Sequence, residues 1–268
     1  MFIGYLKSDF EENLEELFTQ NPLLDISLLK QTYTVFPEYC FAAYEKAEIV
    51  GILSAYVFEK YVYVNVFEVL EKYEDVFTRL ISLLLKNIPN ENVVLLVENK
   101  KCIKLIELGF KEFCNFSRMT HSGEAVAFNF SNSTAKQVSG EFYDEVSKRI
   151  DKKVFHQNRE DYIKKDCVFS NSLKLSTMHG FLHSYVVNKR FIKISPWLMD
   201  SEAFIDAEKL LRGVLYYRGL KKIYAYAPSN EKEIIELYQS YKFKIDGDFK
   251  LMYLTELPDI KLENLYGL

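Results

Sequence analysis

GILSAYVFEK at residues 51–60 and GFLHSYVVNK at residues 180–189 read as one decapeptide written twice. Five of the ten positions are identical: Gly51/Gly180, Leu53/Leu182, Tyr56/Tyr185, Val57/Val186 and Lys60/Lys189. The offset is 129 residues in a chain of 268, close to half its length. One match of this size can arise by chance, so its meaning depends on whether the flanking sequence repeats too.

The flanks do repeat. Each copy is followed by a second β-like run, at 61–67 and 190–195. Apolar residues then recur at helical spacing: Val76, Phe77, Leu80, Ile81, Leu84 and Leu85 in the first half, and Phe204, Ala207, Leu210, Leu211, Val214 and Leu215 in the second. A strand is expected after each helix, at 92–97 and 222–227. The unbroken run Val93-Val94-Leu95-Leu96-Val97 is typical of a strand covered on both faces beside a parallel neighbour. Short helices at 100–108 and 231–241 lead into strands that begin LGFKEF (from Leu108) and YKFKID (from Tyr241). The leading segments match as well. A strand at 2–6 and helices at 9–18 and 27–33 correspond to a strand at 125–130 and helices at 135–149 and 159–165. SNSTAK (131–136) reads as a turn and helix cap. The boundary falls near Ser122-Gly123, which predicts domains at 1–122 and 123–268.

Composition narrows the function classes. Hydrophobic residues make up 49% and charged residues 27%, as in a packed globular chain. Net charge is -4 and the isoelectric point about 5.7. No basic tail or arginine stripe marks a nucleic-acid partner. Apolar runs are too short for a bilayer span, and the N-terminal MFIGYLKSDFEENLEELF turns acidic too early for a signal peptide. Cys40, Cys102, Cys114 and Cys167 lie far apart without a C-x-x-C pair, which predicts reduced, mostly buried thiols in a cytoplasm and no metal site. No nucleophile triad, P-loop, H-E-x-x-H or EF-hand loop is present.

The order strand, two helices, three-strand meander, helix, strand, helix, strand resembles the GNAT N-acetyltransferase fold, and the resemblance covers nearly the whole chain twice. VENKKCIKLIELGF (97–110) is similar to that family's strand-Asn-helix-Leu-Gly-Phe segment. APSNEKEIIELYQSYKF (227–243) is its counterpart, with Lys242 in place of the glycine. The resemblance implies an α/β class (a mixed α+β sheet): two tandem domains, each a mixed, mostly antiparallel sheet with a parallel, splayed central strand pair and flanking helices. It also implies acetyl-CoA as co-substrate, no metal, and a small-molecule or peptide amine as acceptor.

In that family the splayed strands hold the pantetheine arm, and the next helix start holds the diphosphate through backbone N–H groups. Ile194-Ser195-Pro196 resembles the family's Val-x-Pro strand end, so Ile194 and Ser195 are expected at the thioester, with the Ile194 amide polarising its carbonyl. The family's Gln/Arg-x-x-Gly-x-Gly/Ala loop is degenerate in both halves. The matching positions are Glu202, Ile205 and Ala207 in the second half, of which only Ala207 fits, and Lys72, Asp75 and Phe77 in the first. Both helix starts are acidic, which suits the helix dipole but would repel a diphosphate. Asn230 completes the expected cofactor contacts, with Asn99 as its first-half counterpart.

Tyr238 stands where the family has a tyrosine that protonates the leaving thiolate; packing its helix on the sheet is the alternative. The first half has Leu105 or Ile106 there. His179 and His183 share a strand face, with a solvated or satisfied role as the alternative to a substrate-facing one. Glu68, at the end of the first half's central strand, stands where some members place a base, with an exposed strand-end carboxylate as the alternative. The sequence thus predicts an N-acetyltransferase whose second half carries acetyl-CoA and whose first half shapes the substrate cleft. The alternatives are an aminoacyl transferase of doubled-GNAT type and a non-catalytic ligand-binding or scaffolding protein.

Overall fold

The computed structural model describes residues 1–46, 48–89, 92–126 and 138–268. The strand expected at 125–130, the SNSTAK turn and the start of the helix expected from 135 fall wholly or partly outside them. By contacts the chain forms two compact units. One comprises Met1–Phe113 and Lys250–Pro258, the other Cys114–Phe249 and Asp259–Leu268.

The first unit holds β1 (Phe2–Tyr5), α1 (Glu15–Gln20), α2 (Ile26–Val35), β2 (Cys40–Glu45), β3 (Glu48–Val57), β4 (Val62–Val69), α3 (Glu74–Asn87), β5 (Val93–Glu98), α4 (Cys102–Glu107) and the beginning of β6 (Lys111–His121). Its sheet runs in the order β1-β2-β3-β4-β5. The meander is antiparallel, whereas β4 and β5 pair in parallel, Val62 with Val93 through Val64 with Leu95. The helix expected over 9–18 is split: a tight turn at Phe10–Asn13 precedes α1, because Leu14 leaves helical geometry. Asp25 caps α2 by accepting from the Leu28 amide at 3.0 Å, a contact worth about 1 kcal/mol.

α3 shows how the repeat's sequence becomes structure. Val76, Phe77, Leu80, Ile81 and Leu84 are buried on one face, at the spacing the sequence predicts. Each such burial contributes about 1.5–3 kcal/mol before entropy is set against it. The helix packs close to Gly51, where a Cβ would lie 2.8 Å from Val76 Cγ1. Gly180, its repeat partner, has a different close neighbour: a Cβ there would lie 2.2 Å from Met199 Sδ, which would have to move aside.

The second unit holds the remainder of β6, α5 (Tyr143–Phe155), β7 (Leu173–Thr177), β8 (Gly180–Val186), β9 (Phe191–Met199), α6 (Phe204–Arg218), β10 (Lys222–Pro228), α7 (Lys232–Ser240), the first part of β11 (Lys244–Leu254) and β12 (Leu265–Gly267). Its sheet runs β6-β10-β9-β8-β7, with β12 on β9. β9 and β10 are the parallel pair, Phe191 with Lys222 through Lys193 with Tyr224. The core combines α6 residues Leu210, Leu211 and Val214 with Ile192, Ile194, Trp197, Ile223, Tyr238 and Tyr266. The helix expected over 159–165 is a single wide turn at Tyr162–Asp166. β12, made from the last few residues, has no counterpart among the expected elements. β6 begins in the first unit and ends in the second, and β11 does the reverse. Each half thus has a mixed sheet with a parallel central pair and flanking helices.

Candidate functional site

In each unit the parallel central strands part, and a β-bulge marks the place. In the first unit the β3–β4 register slips between Ser54 and Ala55, leaving Asn65 as the extra residue of β4. A bulge bends its strand and re-aims its backbone. This one is held by a chain of side-chain bonds. Ser54 Oγ donates to Asn65 Oδ1 at 2.7 Å, Asn65 Nδ2 donates to Thr32 Oγ1 at 2.7 Å, and Thr32 Oγ1 donates to the Leu28 carbonyl at 2.8 Å. The β4–β5 pairing ends at Val64 and Leu95. Among the described residues no further strand pairs between the two beyond that point.

The mouth of this first gap is charged. Glu68, near the end of β4, is half-buried; the Asn21 side chain hydrogen-bonds it, and Lys101 Nζ lies 3.5 Å from its Oε2. Burial, with Glu98 nearby, holds its carboxyl above the usual carboxylate range, against the opposing pull of Lys101 and Asn21. Two further lysines around α4 reach the acidic start of α3: Lys100 is 3.7 Å from Glu71, and Lys104 is 2.8 Å from Glu74. Lys100 also lies 3.1 Å from Glu98. Of the loop positions, Lys72 pairs with Glu16 at 2.7 Å, Asp75 faces Arg79, and Phe77 stacks on Phe67 in the core. Leu105 is buried and Ile106 exposed. A carboxylate held neutral more easily than usual, next to an ammonium, is a competent proton acceptor.

The second unit solves the same geometry differently. Its bulge lies between Leu182 and Ser184 on β8, opposite Ser195-Pro196. His183, which stands at the repeat offset from Ser54, holds it. Its Nδ1 is 2.8 Å from the Ser195 carbonyl, which can only accept, so Nδ1 carries the proton. Its Nε2 then accepts from Ser172 Oγ at 2.7 Å. Full burial drives the imidazole pKa down to about 3. His183 is therefore a neutral structural pin. His179 is exposed, 3.9 Å from Asp200, which Arg149 and Lys153 already pair.

Beyond the bulge, the chain's own residues 265–268 enter the gap between β9 and β10. β12 pairs with β9, Leu265 opposite Leu198 and Gly267 opposite Trp197, and the Leu268 amide donates to the Tyr226 carbonyl of β10 at 3.0 Å. A Cβ on Gly267 would lie 3.3 Å from the Ile194 carbonyl oxygen. Asn264 Nδ2 donates to the Met199 carbonyl at 2.9 Å. Leu265 and Tyr266 are buried, and the Tyr266 ring packs on Trp197 at 5.1 Å.

The residues expected at the cofactor therefore have other neighbours. Tyr238 is fully buried, packs edge-on against Trp197 and Phe243, and donates its hydroxyl to the Tyr266 carbonyl at 2.9 Å. Burial raises its pKa well above the ordinary tyrosine value. Ile194 is buried against the inserted segment and Ser195 accepts from His183. Ala207 lies in the core, and Asn230 is exposed in the turn before α7. The structure gathers Ile194, Ala207 and Tyr238 into one buried core cluster and leaves Asn230 outside it. Sequence reading missed Lys101, Asn21 and Asn65, whose roles come from contacts across long separations. Among the described residues no cluster of His, Cys, Asp or Glu could hold a metal ion, and no helix is long and apolar enough to cross a membrane. Burial pushes the thiols of Cys40, Cys114 and Cys167 up to about 12, which removes them as nucleophiles.

Two parallel pairs that part at a bulge, each within a mixed sheet, define the GNAT fold in tandem. The comparisons agree. A Pyrococcus horikoshii protein described as a "putative acetyltransferase" superposes with a TM-score of 0.76 at 20% identity, over 100% of this chain and 93% of its own. A tandem GNAT protein from the clavulanic acid biosynthesis pathway gives 0.58 at 9% identity, over 94% of this chain and 97% of its own. A GCN5-related N-acetyltransferase from Sphaerobacter thermophilus gives 0.52 at 12% identity, over 85% and 84%. No family model and no curated protein matches the sequence.

Proposed function

We propose that the protein transfers an acetyl group from acetyl-CoA to a primary amine, and that the thioester lies in the first gap, between β4 and β5, rather than in the second. The observation that carries this choice is β12: it pairs with β9 in the gap where the sequence alone would put the cofactor. The mouth of the first gap is polar and holds a carboxylate of raised pKa.

Acetyl-CoA supplies an activated acyl group, and the chain's task is chiefly orientation and proton removal. The bulged backbone at Asn65 would face the thioester carbonyl. Glu68 would receive the proton of the attacking amine. For the diphosphate the fit is weaker. The α3 start carries Asp75 and Phe77 where small residues are expected, and Lys100 and Lys104 would have to exchange the neighbouring Glu71 and Glu74 for phosphate. Acetyl-CoA affinity should therefore be modest and should fall with added salt.

Hydrogen exchange with and without coenzyme A tests the placement. Protection is expected over 62–69 and 93–98. Protection confined to 191–199 and 222–228 would favour a second reading, in which residues 265–268 leave and Tyr238 serves as general acid. What supports that reading is the direction of the Tyr238 hydroxyl, whose bond goes to the inserted segment itself. No protection at either place would favour a non-catalytic protein.

A further inference from the structure

We infer that Lys101 is an internal acyl acceptor: the protein acetylates its own Lys101 from a coenzyme A thioester. The inference rests on the reading that the first gap holds the thioester.

Three lysines around α4 stand at the mouth of that gap, and only Lys101 faces the candidate base. Its ammonium lies 3.5 Å from Glu68 Oε2, whereas Lys100 and Lys104 pair with Glu71, Glu98 and Glu74 at the rim. The Asn21 side chain, just past the end of α1, hydrogen-bonds Glu68 as well, so the carboxylate has two named partners. An amine acceptor in this reaction needs a carboxylate within reach of its ammonium and a place beside the parting strands. Lys101 has the first by contact. It has the second by position, because it closes the tight turn Asn99–Lys101 that leaves the end of β5, the strand that forms one wall of the gap. It thus stands where an external ammonium would stand.

The step balances without another reagent. The Lys101 ammonium gives a proton to Glu68, and the neutral Nζ attacks the thioester carbonyl carbon. The C–N bond forms, the C–S bond breaks, the leaving thiolate takes the second proton that the nitrogen sheds after attack, and Glu68 gives up the first to solvent, so one proton is released overall. The products are Nζ-acetyl-Lys101 and coenzyme A. Acetylation removes the ammonium and with it the ion pair to Glu68. The same residue would therefore leave the base free for an external amine once it is modified.

Exposure gives an opposite ranking, which makes the test sharp. The Lys100 side chain is 64% exposed, Lys104 27% and Lys101 21%. Uncatalysed acetylation should therefore mark Lys100 first. The full chain, incubated with acetyl-CoA and no amine, is followed by peptide mass spectrometry, with coenzyme A binding measured in parallel by thermal shift. The expected result is acetyl at Lys101 ahead of Lys100 and Lys104, slowed roughly 10²-fold in Glu68→Gln as for a lost general base. Lys101→Arg, which retains the ion pair to Glu68, should leave no acetyl at that position and no compensating rise at Lys100 or Lys104, with folding checked by the denaturation midpoint. A protein that binds coenzyme A but acetylates its lysines in order of exposure overturns this inference and leaves the first-gap reading standing. A protein with no shift by coenzyme A and no mark at Lys101 overturns both.

Discussion

The two gaps began from one plan and diverged at the same two places. In the first unit the bulge is pinned by side chains, Ser54 to Asn65 to Thr32, and the mouth is lined by Glu68, Lys101 and Asn21. In the second a buried histidine pins the bulge through backbone, and residues 265–268 fill the mouth as a strand. The decapeptide that reveals the repeat is almost identical in spacing, yet it specifies only the meander. What each gap can do is decided by residues that the repeat does not share. With residues 265–268 in the second gap, Tyr238 and Ile194 are among the most buried residues of the second unit.

The largest effect expected from this contrast is on turnover. Glu68→Gln should lower kcat by roughly 10²- to 10⁴-fold, with little change in folding. The pH profile should sharpen it. Because burial raises the Glu68 pKa, the acid limb of activity should lie above the ordinary carboxylate range, and that limb should vanish in Glu68→Gln. Wild-type turnover in Glu68→Gln would erase the functional difference between the gaps.

How much of this could be read in the sequence differs by distance along the chain. α3 and α6 were legible because burial imposes a 3.6-residue period on Val76, Leu80 and Leu84 and on Leu210, Leu211 and Val214. The parallel pairs were legible from the continuous apolar run at 93–97. β12 was not. Three residues carry no periodicity, and their partner strand lies more than 60 residues earlier. The role of His183 was hidden for the same reason: a histidine on an apolar strand looks alike whether it faces a substrate or a carbonyl oxygen. Glu68 was visible as a residue type, but its partners Asn21 and Lys101 are joined to it only by the fold.

Two smaller effects probe the filled gap. Tyr266→Ala should cost about 3–5 kcal/mol, as for other buried aromatic truncations, and should be read as a lower denaturation midpoint with turnover retained. A matching gain of coenzyme A binding would instead mark residues 265–268 as a removable plug. Acid should then act through His183. Its folded pKa of about 3 lies below the unfolded value near 6.5, so the unfolded chain binds the extra proton. The stability it contributes is fully present above pH 6.5 and is lost as pH falls toward 3, by up to a few kcal/mol. His183→Gln should flatten that part of the stability profile; an unchanged slope would mean that another group governs it.

The smallest effect is the most diagnostic, because the two gaps predict opposite outcomes for one hydroxyl. In the structure Tyr238 Oη is a donor to the Tyr266 carbonyl, inside a ring cluster with Trp197 and Phe243. Tyr238→Phe retains the ring and its packing, so the loss is one buried hydrogen bond, about 1 kcal/mol, rising toward 3 if the stranded carbonyl finds no water. Turnover should not move, since the hydroxyl touches only the inserted segment. If the second gap were the working one, the same change would remove a general acid and lower kcat by roughly 10²-fold or more with the same modest loss of stability. Stability therefore cannot separate the two cases, and the rate can. Measured beside Glu68→Gln on the same amine, a rate that follows Glu68 and ignores Tyr238 assigns the chemistry to the first gap, and the reverse pattern assigns it to the second.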